Sequence, residues 1–195
     1  MIDPTITDRR EMILATALRL FSEHGYFNTS VHHIQKEANV SIGSIYHYFG
    51  NKEAIAKALF HHIEENMTTT ITDIIAKHET VHDRCKAVIT YLFTITEETR
   101  DIMQYMLYAK HSEFMPEEKP VCSSRPFGLM KQIIIDGIDQ GVIRNIDPNV
   151  AAVTVFGGAI RLIFLRLDGV LENSLPTYID ECWDCAWRGV AVCDF

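Results

Sequence analysis

The chain is predicted to be all-α, with a small amino-terminal three-helix head joined to a larger helical body. Apolar residues recur at three- and four-residue intervals along most of its 195 residues, which is the helical period. Alternating strand patterns are nearly absent. Capping and breaking residues also stand where helices should begin and end. With 47% hydrophobic and 23% charged residues and a mean hydropathy near zero, the chain has the composition of a globular protein and not of a disordered tail.

Thr7 is a plausible N-cap with Asp8 in the first turn, followed by Ile13, Leu14, Ala17, Leu18 and Phe21 on one face, and Gly25 closes this first helix. A second, short helix should start near Thr29 or Ser30, with Val31, Ile34 and Ala38 inward, and a third should run from Ser41 to about Phe49. Asn39 lies between them, and Asn tolerates the left-handed backbone that turns a chain out of a helix. Two short helices and a tight turn make a helix-turn-helix unit. Asn51 can cap a long helix over 51–77 that links head to body. Further helices are expected at roughly 80–97, 100–111, 125–140, 148–168 and 174–189, with Pro126, Gly141, Asp147-Pro148 and Ser174 as punctuation. Residues 113–124, with Pro116, Glu117, Glu118 and Pro120, read as a mobile loop.

The third helix has two unlike faces. Ile45 and Phe49 can pack inward, leaving Ile42, Gly43, Tyr46 and His47 outward, and small residues in its first turn let the backbone approach a surface closely. A helix amino terminus with free N–H groups suits phosphate, and a DNA groove is such a surface. Tyr46, His47 and Lys52 supply a phenol, an imidazole and a cation for phosphate positioning and base reading. Net charge gives no help. The whole is −8, while residues 1–60 carry six basic and six acidic side chains and are neutral.

Ile13-Leu14 through Phe21, Gly25-Tyr26, Thr29-Ser30-Val31, Ile34, Ala38, Val40-Ser41, Gly43, Ile45-Tyr46 through Tyr48-Phe49 and Lys52-Glu53 together resemble the TetR family of transcriptional regulators. The resemblance covers about the first 60 residues. It implies a helix-turn-helix DNA-binding domain over 1–50 and a ligand-binding and dimerisation domain over 51–195, with repression of an operator relieved by a small molecule. Matched position by position, DNA contacts fall on Thr29, Ser41, Ile42, Gly43, Ser44, Tyr46, His47 and Lys52. Two positions depart from the family pattern. Ile42 stands where many members carry Lys or Arg, and Asn39 stands where Gly is usual.

The stretch from Val150 to Leu167 is apolar on more than one face and contains Gly157-Gly158, whereas a surface helix needs only one apolar stripe. With the resemblance, this implies a homodimer through the helices at 148–168 and 174–189. Tyr91, Phe93, Met103, Met106, Phe127, Met130 and Phe156 are candidate lining for a pocket that takes a moderately hydrophobic effector. The helix at 51–77 is the natural lever between pocket and head.

Other chemistry has less to stand on. No phosphate-binding glycine loop, nucleophile elbow or paired-carboxylate motif points to an enzyme, and no cofactor is expected. Cys182-Trp183-Asp184-Cys185 is a CxxC within the last expected helix, and His78, His82 and Cys85 have spacing that gathers on a helical turn, so a redox- or metal-responsive regulator is one alternative. A helical adaptor that binds no DNA is the other. Five cysteines without a dense framework, and an amino terminus lacking an apolar signal core, lead to the expectation of a cytoplasmic protein without disulfides or membrane association.

Overall fold

A computed structural model describes residues 8–118 and 120–192 and is all-helical, without a strand among them. The helices are α1 (Arg9–His24), α2 (Val31–Glu37), α3 (Ile42–Tyr48), α4 (Lys52–Lys77), α5 (Val81–Glu98), α6 (Arg100–Tyr108), α7 (His111–Phe114), α8 (Arg125–Asp139), α9 (Pro148–Leu167) and α10 (Ile179–Arg188). They fall into two compact units. The first gathers the residues up to Glu65 together with Asp101–Val121; the second gathers Asn66–Arg100 and everything from Cys122 onward. The first unit is therefore larger than a domain ending at residue 50, because the start of α4 and the segment 101–121 pack with the head.

Most boundaries fall where capping chemistry places them. Thr7 lies outside the described residues, and Asp8 is the residue whose carboxylate accepts from the Arg10 backbone N–H at 2.9 Å. Ser30 caps α2, Ser41 caps α3, Asn51 Oδ1 accepts from the Ala54 N–H at 2.7 Å, Thr80 caps α5 and Asp147 caps α9. Asn39 has φ +51° and is the left-handed residue between α2 and α3. The core of the first unit includes Ile13, Leu14, Ala17, Leu20, Ile34, Ile45, Ile55 and Leu59, all essentially closed to solvent.

Two stretches differ from expectation. Residues 113–124 are not a simple loop. His111–Phe114 is a helical turn, Val121–Ser123 is a 3-10 turn, and Phe114 and Met115 are buried in the first unit. The prolines and glutamates that made the stretch look like a loop are exposed or half-exposed, while the apolar pair before them anchors it. The last helix does not run unbroken from Ser174. Leu175–Tyr178 is a 3-10 turn with Pro176 near its start, and α10 begins at Ile179.

In the second unit, Arg166 meets Glu97 through Nε and Nη2 at 2.9 and 3.1 Å, and Glu97 also accepts the Leu175 N–H at 2.8 Å. This fork ties α5, α9 and the 3-10 turn together, and it holds the Glu97 carboxyl below the usual carboxylate range. Gly137 packs so closely on Ile143 and Val81 that a Cβ there would come within 2.7 Å of a side-chain carbon. α9 is long and apolar enough by composition to cross a bilayer, and a third of its apolar window is buried within its own chain.

Candidate nucleic-acid interface

The outer face of α3 is built from its cap outward. Ser41 Oγ accepts the Ser44 N–H at 3.0 Å and shares a 2.8 Å hydrogen bond with Ser44 Oγ, which fixes the first turn. Ile45 is fully buried and locks the helix to α1 and α2, so side chains on the opposite side are set by the 3.6-residue period. Ser41, Gly43, Tyr46 and His47 are exposed, with Ile42 and Ser44 half-exposed, and Tyr46 is 53% accessible. Only the Ser41 hydroxyl comes near the position where a Cβ on Gly43 would stand, at 3.8 Å, so α3 is narrow there. Tyr48 is exposed too and meets His47 edge-on at 5.1 Å, while the Arg10 guanidinium lies 5.6 Å over the Phe49 ring and braces the end of the helix.

Six of the eight residues expected at a DNA surface are thus brought onto one face. The other two point elsewhere. Thr29 is 1% exposed, and its hydroxyl donates to the Leu20 carbonyl at 3.2 Å and the Gly25 carbonyl at 3.0 Å, closing the end of α1. Lys52 Nζ donates to the Tyr26 and Thr29 carbonyls, both at 2.9 Å, and lies 4.1 Å from the centre of the Tyr26 ring. Partial burial lowers its pKa below the ordinary lysine value. These two side chains hold the connection between α1 and α2 in place instead of standing on the outer face.

Sequence reasoning also missed what holds the head from behind. Tyr105 Oη donates to the Ala56 carbonyl at 3.0 Å, Ser22 Oγ to the Asp101 carbonyl at 2.9 Å, and the Tyr26 and Phe114 rings stack at 3.9 Å. Glu118 takes an ion pair from Lys57 at 2.7 Å and lies 3.3 Å from His61. His111 sits among Phe60, Tyr105 and Phe114, 6% exposed, and its Nε2 has no hydrogen-bond partner. Burial pushes its pKa down to about 4. Apart from those of His111 with Tyr105 and Phe114, these contacts join residues about 50 to 90 positions apart, and no local pattern announces them.

The expected pocket residues are divided. Met103 and Met106 belong to the first unit; Tyr91, Phe93, Phe127, Met130 and Phe156 belong to the second. Five of the seven are buried, with Tyr91 and Phe127 half-buried. A groove of about 490 Å³ lies away from all of them, between α9 and α10, lined by Thr154, Gly158, Arg161, Leu162, Tyr178, Glu181, Cys182, Cys185 and Ala186. The alternative metal set does not assemble. His82 is engaged by Trp183 Nε1 at 2.9 Å and by Asp83 at 2.9 Å, Cys85 is sealed in the core, and no three potential ligands converge among the described residues.

A capped helix-turn-helix with an exposed second helix, in a chain that also carries a separate helical unit, defines a transcriptional regulator of the helix-turn-helix class. Residues 13–59 match the profile of bacterial regulatory proteins of the tetR family, and residues 60–192 match that of the tetracyclin repressor-like carboxy-terminal domain. The chain belongs to the TetR family. It is 27% identical over 159 residues to the HTH-type transcriptional regulator YuxN of Bacillus subtilis, a match covering 82% of this chain and about half (54%) of that protein's length. A TetR family transcription regulator from Marinobacter aquaeolei VT8 has the same fold, with TM-score 0.80 at 24% identity, covering 94% of this chain and 95% of the other. So does the regulator FadR of Bacillus subtilis in complex with stearoyl-CoA, with TM-score 0.77 at 21% identity over 92% of this chain and 98% of that one.

Proposed function

We propose that this TetR-family regulator is a cytoplasmic, homodimeric repressor that reads its operator through the outer face of α3 and leaves it when an apolar effector binds. The observation that carries the reading is the α3 face itself: a capped amino terminus, a glycine that permits close approach, and Tyr46 and His47 exposed above a fixed core. Ser41, Ile42, Gly43, Ser44, Tyr46 and His47 are the proposed contacts. Ile42 supplies an apolar contact of the kind a thymine methyl accepts. Thr29 and Lys52 serve the interface by fixing the loop that precedes α2.

Two copies are needed because two recognition helices must meet one face of the duplex about 34 to 36 Å apart, or a multiple of it. The surface proposed to join them is that of α9 and α10. Val150 and Val153 on α9 are 58% and 70% exposed, and the groove beside them carries Arg161 and Glu181, opposite charges that a two-fold pairing sets against each other. The effector is proposed to bind among Tyr91, Phe93, Phe127, Met130 and Phe156 of the second unit. Long-chain acyl thioesters are the first compounds to test, since the structurally similar FadR is known with stearoyl-CoA. Release requires that the effector prefer a dimer whose heads are wrongly spaced, because equal affinity for both states shifts nothing.

Selection of bound duplexes from a random pool tests the reading. The expected product is a palindromic site whose occupancy falls with added salt and is lost in Tyr46→Ala. Recovery of no enriched sequence by a folded dimer would sink it.

A further inference from the structure

Four buried side-chain atoms have no hydrogen-bond partner among the described residues: Thr16 Oγ1 and His111 Nε2 in the first unit, Thr68 Oγ1 and Ser124 Oγ in the second. A buried polar atom left unpaired destabilises the fold, and a ligand that completes its bonding is one reason for a protein to keep it. Ser124 differs from the other three in where it stands. Thr16 and Thr68 lie inside long helices, and His111 is enclosed by rings. Ser124 is the N-cap of α8, a helix of 15 residues, and is only 4% exposed.

A serine at this position ordinarily turns its oxygen to the N–H of the second or third helical residue. Ser30 and Ser41 do so, each to the third. In α8 the second residue is Pro126, which has no N–H, and the Ser124 side chain makes no bond to the third, Phe127. The Phe127 N–H lies in the first turn, where no carbonyl of the helix itself reaches it. The start of α8 thus combines a buried hydroxyl that has no partner with the positive end of a helix dipole. Both donate, so the group they fit is an acceptor oxygen. Phe127, Met130 and Ile134 follow at spacings of three, three and four, and an apolar stripe runs down the helix from this end. Met130 and Ile134 are buried and Phe127 is half-buried. A polar end and an apolar flank on one helix match a molecule divided in the same way.

We propose that Ser124, with the Phe127 N–H, is the polar anchor of the effector site, and that it selects an acyl compound, an apolar chain ending in a carboxylate or a thioester carbonyl. The inference rests on the effector reading above, in which Phe127 and Met130 hold the apolar part, and adds which atoms meet the oxygen. The Ser124 hydroxyl donates to that oxygen, and the Phe127 N–H donates from the first turn. An apolar compound without an acceptor oxygen occupies the flank and leaves the anchor unused. The hydroxyl therefore sets the preference between the two kinds of molecule.

The test uses the full chain and three probes: palmitate, palmitoyl-CoA and the uncharged dye phenylnaphthylamine, which has no acceptor oxygen. Dye fluorescence gives the affinity of the dye, and its displacement gives those of the acyl probes. In Ser124→Ala at least one acyl probe is expected to bind about tenfold more weakly, or worse, with the dye changed by less than about twofold. The thermal unfolding midpoint is expected to be no lower, because the replaced hydroxyl has no bond in the folded chain to lose. A loss with palmitate alone assigns the anchor to a free carboxylate, and a loss with palmitoyl-CoA alone assigns it to a thioester carbonyl. Unchanged acyl affinity in Ser124→Ala overturns the inference and leaves the apolar-effector reading standing. An equal loss for the dye overturns it too, as does an unfolding midpoint lowered by several degrees, which gives the hydroxyl a structural partner instead. A native chain that binds the dye and neither acyl probe likewise overturns the inference. A native chain that binds none of the three overturns the effector reading itself.

Discussion

The outer face of α3 and the face shared by α9 and α10 are both exposed, and they are exposed for opposite reasons. On α3 the exposed groups are the cap, a glycine and three hydrogen-bonding rings, Tyr46, His47 and Tyr48, each polar or small and at home in water, with Ile42 half-exposed beside them. On α9 the exposed groups include Val150 and Val153, with the half-exposed Leu162 in the groove, and water is a poor neighbour for them. A surface that is stable uncovered can wait for an occasional ligand. An apolar one calls for a permanent cover. The contrast is the one expected if, as proposed, the α3 face meets DNA transiently and the α9–α10 face meets a second copy lastingly.

The largest effect should come from putting a charge into the second face. Val153→Glu is expected to leave the thermal unfolding of the monomer unchanged, because the side chain is exposed there, while weakening operator binding at least 100-fold, about 2.7 kcal/mol or more. Sizing by light scattering beside a gel-shift titration checks both halves; a variant that stays dimeric breaks the comparison. Next comes acid. The folded His111 has its pKa lowered to about 4 from 6.5, so between those values the unfolded chain binds the extra proton. The His111 contribution is therefore complete above pH 6.5 and is lost as pH falls towards 4, on the order of 3 kcal/mol. Denaturant titrations across that range should show the loss in the native chain and its absence in His111→Phe, which also removes the unpartnered Nε2.

Lys52→Met distinguishes bracing from phosphate contact. It should cost about 1–3 kcal/mol of stability through the two carbonyls left without their donor. The salt dependence of operator binding should change by less than one charge; a fall of a full charge would place Lys52 on phosphate after all. His47→Ala is expected to change which operator variants bind best, by about 1–2 kcal/mol at one position, with unfolding unaltered; an unchanged ranking in a binding-site selection removes His47 from base contact. The smallest effect should be Tyr105→Phe, which loses one hydrogen bond to Ala56, about 1 kcal/mol in urea unfolding.

The head was legible because its determinants are local. Ser30, Ser41 and Asn51 are caps a few residues from what they cap, Asn39 turns the chain by its own φ, and Ile34 and Ile45 announce their faces by period. What the sequence concealed depends on distant partners. Lys52 looks like a surface cation until the Tyr26 and Thr29 carbonyls are brought to it from more than twenty residues away. Thr29 looks like a contact residue until its hydroxyl is seen closing α1. Residues 113–124 carry loop punctuation, yet Phe114 and Met115 find cover in the first unit. The aromatic and Met residues of the body were visible as a set, but composition cannot divide them between two units.

The membership of 101–121 in the first unit bears on how this regulator can be taken apart. The chain builds most of its reading head, leaves along α4, and must come back at Asp101 to finish it. A fragment ending near residue 60 would leave Tyr26 without its stacking partner and the Ala56 carbonyl without its donor. The head is therefore not a cassette that can be cut at a linker and spliced onto another body. A chimera that keeps this operator specificity has to carry α6, α7 and the start of α4 along with α1 to α3, and any body that evolves with the head is obliged to keep that returning segment in shape.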